Sequence, residues 1–269
     1  MELSIRNFGA PGRAMVGVMQ HARAGAARRS AFLLCRPYGQ EAIRTSPMYR
    51  AISDRLAREG CDVLRFDYHG SGDSAGDESA QSLSLWVEDT MAAHELLLAE
   101  DPQRAVHWFG LGLGANIALR AAARARRVPR HLVLWDPVLD GPRYMQALCD
   151  SHRTELSREL GLEWHQLVRR GREREPALPG TVLGFPFGEK LCEELRHLRE
   201  LPLAAAARRG VRLSCAVPED DRPRLEGALD ASRLTLHSLE TRTNWMSTEA
   251  MGTAIVPQEV MRSLLSTLE

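Results

Sequence analysis

Residues 107–116, His-Trp-Phe-Gly-Leu-Gly-Leu-Gly-Ala-Asn, pass from an apolar run through three alternating glycines into a helix start. Such a turn aims the unpaired N–H groups of a helix N-terminus at whatever lies in front of it, which suits a carboxylate, a phosphate or a polarised carbonyl oxygen. The Leu113 N–H is the expected donor. The same glycines, with Asp136 ending the next apolar run, partly imitate a dinucleotide-binding βαβ unit. That reading is the weaker one, because the pattern is GxGxG followed by Ala115-Asn116 instead of GxGxxG, and several strand-like runs precede it. Other groups able to carry chemistry are few. Cys35 is either a thiol nucleophile or a buried thiol packing as a small hydrophobe. Asp136, just before Pro137, either faces a pocket or caps its own turn. His69 and Ser71 sit together in a glycine-containing loop.

The elements that must position these groups follow from the patterning. Apolar runs at Ala31–Cys35, Val63–Phe66, Val106–Phe109, His131–Trp135 and Val211–Val217, with a weaker one at Leu234–Leu239, alternate with amphipathic stretches. Helices are expected over Met48–Glu59, Leu83–Glu100 and Ala115–Arg127, and a closing helix over Pro257–Glu269. This alternation predicts an α/β fold with a mostly parallel sheet flanked by helices. The first twenty residues, broken at Gly-Ala-Pro-Gly, read as an antiparallel hairpin extending one edge. Residues 141–205 interrupt the rhythm with a charged, mostly helical stretch, expected to form a cap over residues 1–140 and 206–269. Trp164, Phe185 and Phe187 there either line a pocket or form the cap's own core.

Composition excludes several classes. Thirty-five basic residues balance 35 acidic ones, and only Lys190 is a lysine, so no global field draws the chain to nucleic acid or an anionic membrane. The five cysteines lack any CxxC pair, and no His/Cys/carboxylate set has ligand spacing; no metal, cofactor or disulfide framework is expected. The opening residues lack an apolar leader, and no run is long enough to span a bilayer, so a cytoplasmic protein is expected.

With its neighbours the glycine turn resembles the nucleophile elbow of the α/β-hydrolase family, G-x-S-x-G between strand and helix. The frame here is G-L-G-L-G, and Gly112 stands where that family places its serine. Phe66–Ser74 (FDYHGSGDS) resembles the family's D-x-x-G-x-G-x-S loop, and Cys35–Gln40 (CRPYGQ) resembles its oxyanion loop. FGLGLGANIAL followed by LWDPVLDGPRYM is most similar to serine-aminopeptidase-like proteins and exosortase A system-associated hydrolases.

The resemblance implies an α/β-hydrolase sheet with oxyanion or ligand contacts at Tyr38, Gly39, Gln40 and Leu113. It implies a triad acid after Val217, where Asp220 and Asp221 stand in Pro-Glu-Asp-Asp, although on composition alone that stretch reads by default as a solvated acidic turn. It implies a histidine after Leu239, where Glu240–Trp245 has none; the last histidine, His237, falls inside the strand. Asn244 and Trp245 in that stretch join Asp136 as pocket candidates. Acyl transfer on this fold needs a hydroxyl or thiol, a histidine and a carboxylate, and two of the three positions are empty. The expectation is a non-hydrolytic pseudoenzyme in a biosynthetic system, binding a small acyl-type or anionic ligand or a protein partner. The alternative is an esterase, thioesterase or acyltransferase using water or a displaced Cys35, Ser71 or His69.

Overall fold

The computed structural model describes residues 2–23, 30–230, 232–239 and 256–268. The N-terminal hairpin is present: β1 (Leu3–Phe8) pairs antiparallel with β2 (Met15–Gln20), which pairs antiparallel with β4 (Cys61–Phe66). From there the sheet is parallel, through β3 (Ser30–Cys35), β5 (Ala105–Leu111), β6 (His131–Trp135), β9 (Arg212–Val217) and β10 (Leu234–Ser238). The order across the eight strands is β1-β2-β4-β3-β5-β6-β9-β10. Central strands such as β3 and β5 are buried almost throughout because helices cover both faces, whereas β1 at the edge alternates exposed and half-buried residues.

One face is packed by α1 (Gly39–Arg58) and α8 (Gln258–Leu265), through Met48, Ile52, Leu56, Val260 and Leu264. The other carries α2 (Leu83–Glu100) and α3 (Leu113–Ala122), through Trp86, Leu97, Ile117 and Leu119. The α1 helix starts at Gly39 instead of the expected Met48. Pro47, which reads as a stop, is carried inside the helix, and positive-φ Gly39 lets the chain turn directly out of the β3 loop. In consequence Glu41 lies in the first helical turn and not in a loop. The α3 helix starts at Leu113 and ends at Ala122, shorter at its C-terminal end than the expected Arg127.

Between β6 and β9 the chain forms α4 (Gly141–Leu160), α5 (Trp164–Arg169), a small hairpin of β7 (Gly180–Val182) and β8 (Phe185–Phe187), α6 (Glu189–Arg196) and α7 (Leu203–Arg208). Its ties to the sheet are specific. The Glu194 carboxylate accepts from the Leu83 N–H at 2.5 Å and the Ser84 hydroxyl at 2.6 Å, satisfying the open N-terminus of α2. Tyr38 packs its ring on Trp86 and Phe187 and donates its hydroxyl to the Pro186 carbonyl at 2.5 Å. The hairpin therefore rests on the loop that follows β3.

Candidate functional site at the strand-to-helix turn

Gly112 joins β5 to α3 with φ 55° and ψ −127°, a combination that a glycine adopts without Cβ strain. Its N–H donates to the Trp135 carbonyl at 2.9 Å, and its carbonyl accepts from Ala115 N–H at 3.1 Å, so the turn is pinned to β6 and to its own helix. The three glycines have different reasons. A Cβ on Gly110 would stand 2.5 Å from the Gly114 carbonyl, and one on Gly114 would stand 2.4 Å from the Cys35 carbonyl and 2.6 Å from that of Arg36. Both are demanded by close backbone packing inside the protein, which accounts for the pattern without a dinucleotide. At Gly112, among the described residues, a Cβ would meet only the Glu41 Oε2 at 3.5 Å and the Pro37 Cβ at 3.9 Å. A side chain has room there; the backbone conformation is what favours glycine.

Glu41 is thus the polar group that borders the place of a side chain on the elbow. It is only 9% exposed, and its Oε2 accepts a hydrogen bond from the Tyr144 hydroxyl of α4 at 3.2 Å. Burial pushes its carboxyl up to about 7; the hydrogen bond from Tyr144 opposes this and the negative charge of Asp136 adds to it. Sequence reasoning passed over Glu41. The available signal was an acidic residue two places after Gly39, the first-turn position that a helix macrodipole favours.

The surrounding loops are held by hydrogen bonds to their backbone. Tyr49 donates to the Cys35 carbonyl at 2.8 Å and Tyr68 to the Arg36 carbonyl at 3.1 Å, while Arg36 pairs with Asp67. These bonds fix the Arg36-Pro37-Tyr38 segment, so that the first turns of α1 and α3 are presented together. Gly39 lies beside the Phe185 ring, close enough that a Cβ on it would stand 3.4 Å away, and Gln40 follows in the same turn. Asp136 ends β6 in the left-handed region at φ 46°, its N–H donating to the Ala216 carbonyl at 2.8 Å. Its charge helps to raise the pKa of both Glu41 and Cys215, after the larger effect of their burial.

The other sequence candidates are placed elsewhere. Asp220 and Asp221 lie on a surface 3-10 turn, Glu219–Arg224, where Asp220 is exposed and Asp221 pairs with Arg224 at 3.4 Å. His237 lies at the surface on the edge strand β10, with partial desolvation of its ring first and the charge of Arg222 second lowering its pKa. Cys35 is wholly buried and pushed up to about 12 by desolvation, which removes the thiolate a nucleophile requires. The Ser71 hydroxyl donates to the Tyr68 carbonyl at 2.8 Å, and the His69 N–H donates to the Asp89 carboxylate at 3.0 Å. Trp164 packs on His152 and Arg153 and donates to Glu175, within its own segment. Phe187 is fully buried. Asn244 and Trp245 lie outside the described residues. Among the described residues no cluster of three or more His, Cys, Asp or Glu could hold a metal ion, and no helix is long and apolar enough to cross a membrane.

Residues 42–173 match the model of the serine aminopeptidase family, S33, a span that contains the elbow. No curated protein matches the chain. Among solved structures it is similar to an esterase of Pyrococcus furiosus, with TM-score 0.62 and 15% identity over 99% of this chain and 90% of that one. It is also similar to the alpha/beta hydrolase GrgF of Penicillium sp. sh18, with TM-score 0.60 and 15% identity over 100% and 98% of the two chains. A third likeness is to Est1E of Butyrivibrio proteoclasticus with ferulic acid bound, at TM-score 0.60 and 12% identity over 98% and 99%. At such identities the likeness is one of fold.

Proposed function

From an α/β-hydrolase fold that keeps the elbow backbone and lacks its side chain, we propose that this protein binds a small carbonyl- or acyl-type ligand at the elbow without forming an acyl-enzyme. The observation that carries the reading is the pairing of Gly112 with Glu41. Gly112 offers no hydroxyl to acylate, and among the described residues the nearest side-chain group to its place is a carboxylate instead of a histidine. Acyl transfer from a neutral nucleophile generates an oxyanion that an ionised Glu41 would oppose. Two unit charges about 4 Å apart repel by ~4 kcal/mol at an effective dielectric of about 20. That opposes the oxyanion stabilisation from which serine hydrolases draw much of their rate.

What the site retains is suited to holding a polarised oxygen. The N-terminus of α3 begins at Leu113, that of α1 at Gly39 and Gln40, and the segment from residue 141 to 205 serves as a cap that closes over them through Tyr144 and Phe185. A displaced-residue esterase is disfavoured by the inert state of Cys35 and by the backbone hydrogen bond that engages Ser71.

The test pairs turnover with binding. Hydrolysis of p-nitrophenyl and thioester acyl chains should stay at buffer background, with no burst, and wild-type protein should bind simple ketones and thioesters in saturation-transfer NMR. Gly112→Leu, which sets a side chain at the elbow against Glu41 and Pro37, should lose that binding while remaining folded by circular dichroism. A burst of product, or turnover abolished by Cys35→Ala or Ser71→Ala, would replace this reading by that of a hydrolase.

A further inference from the structure

We infer that Glu41 is the proton-transferring base of this site, removing and returning a proton at the carbon beside the carbonyl of a ligand seated at the elbow. The inference rests on the proposed binding of a carbonyl compound there and adds a chemistry to it.

Three observations converge. The Glu41 Oε2 lies 3.5 Å from where a Cβ of Gly112 would stand, with the Pro37 Cβ as the other described neighbour, so the carboxylate faces the space that a ligand at the elbow enters. The carboxylate is buried and is held by a hydrogen bond from Tyr144 at 3.2 Å, which fixes its orientation and covers it from the α4 side. The turn in front of it begins α3, whose first N–H groups have no partner within the helix and can receive a negatively charged oxygen. A desolvated carboxylate opposite oxyanion donors is the arrangement that proton abstraction beside a carbonyl requires.

The step balances within the site. The proton passes from carbon to a Glu41 oxygen, the C–H electron pair becomes the new C=C bond, and the carbonyl π pair moves to oxygen as an enolate. The negative charge moves from Glu41 to the ligand oxygen, so Glu41 is neutral when the oxyanion faces the helix, and the repulsion that hinders acyl transfer is absent. Once the captured proton on Glu41 is replaced by a solvent deuteron, its return to the same carbon gives exchange, and return of a proton to another carbon gives an isomer. No electron acceptor or co-reactant is needed. Glu41 is thereby a catalytic residue in a fold whose elbow carries no nucleophile.

The experiment follows α-proton loss by ¹H NMR in D₂O, with 3-pentanone and the hexanoyl thioester of N-acetylcysteamine as probes and saturation transfer as the binding readout. Wild-type protein should exchange the α-protons of a bound probe at least tenfold faster than buffer. Glu41→Gln should return the rate to that of buffer while saturation transfer persists. Should that variant fail to fold, Glu41→Asp, with its shorter reach, should exchange at least tenfold more slowly than wild type. A probe that binds without exchange, or exchange unchanged in the Glu41 variant, overturns the inference and leaves the binding reading in place. Absence of saturation transfer from either probe overturns both.

Discussion

The side-chain amide of Asn116 closes on the backbone of Val138 from both sides, accepting its N–H at 2.9 Å and donating to its carbonyl at 2.8 Å. Asn116 is fully buried in α3, one turn beyond the elbow, and Val138 lies in the loop that leads from Asp136 to α4. The clamp therefore sets the position of the loop that delivers Asp136 and, further on, Tyr144.

Replacing Asn116 by Ala leaves two half-buried backbone groups without their partners. A fully buried group left so costs about 1–3 kcal/mol and a half-buried one sits toward the lower end, so a loss of ~2–4 kcal/mol for the two is expected in urea unfolding. Asn116→Asp should be no better near neutral pH, because a carboxylate can accept from the Val138 N–H but repels its carbonyl. Stability of either variant within 0.5 kcal/mol of wild type, taken as roughly the scatter of neutral surface changes, would show that the clamp is not a structural tie.

The glycines of the elbow should respond unequally to alanine. Gly112→Ala meets no obstacle closer than 3.5 Å and bears only the cost of a left-handed backbone, about 1–2 kcal/mol. Gly114→Ala drives a Cβ to 2.4 Å from the Cys35 carbonyl, against backbone that cannot swing aside. It is expected to lose more than ~3 kcal/mol or to express insolubly. Thermal melts and soluble yield of the two variants compare them directly, and equal losses would contradict the packing described for Gly114.

Much of this arrangement is legible from sequence because it depends on local patterns. The buried runs of β3, β5 and β6 and the glycine turn between β5 and α3 read as they stand, since apolar continuity and glycine spacing are short-range signals. Glu41 is not legible in that way. Pro47 makes the stretch before Met48 read as a loop, and only the folded chain shows α1 running through the proline and carrying Glu41 to the elbow. Its partner Tyr144 stands 103 residues later in sequence, a juxtaposition that no spacing rule reaches. The reverse holds for the Pro-Glu-Asp-Asp stretch, where acid-rich sequence after a strand suits either a triad acid or a surface turn, and the structure puts Asp220 in solvent.

His107 should make the fold acid-sensitive. It is buried, stacked on Phe32 at 5.0 Å, and desolvation lowers its pKa to about 4. The unfolded chain takes up a proton near pH 6.5 and the folded one only near 4, so the stability that neutral His107 contributes is complete above 6.5. It falls as pH drops through that interval. A shift of this size is worth ~3 kcal/mol. His107→Phe keeps the stacking and removes the titration, so its unfolding free energy should decline less than that of wild type between pH 6.5 and 4. Parallel curves would show that His107 protonates freely in the folded state.

Glu41 acts in the opposite direction and over a different interval. Its folded pKa of about 7 lies above the ordinary 4.5, so the folded state holds a proton that the unfolded state has released. Stability is then full below pH 4.5 and is lost as pH rises to 7, by ~3 kcal/mol for a shift of this size. Among the described residues the groups that act on the carboxyl are Tyr144 from α4 and the Asp136 carboxylate from the end of β6, and neither is a cation. Glu41→Gln retains an oxygen that can accept from Tyr144 and carries no charge to desolvate. Its stability should match wild type within about 1 kcal/mol at pH 4.5 and exceed it by ~3 kcal/mol at pH 8, a gap that cancels contributions such as that of His107 because both proteins share them. Urea unfolding of the pair at the two pH values measures the gap. A gap that does not widen with pH would mean that Glu41 is ionised in the folded protein at ordinary acidity, and its role as a desolvated base opposite Gly112 would lose its physical ground.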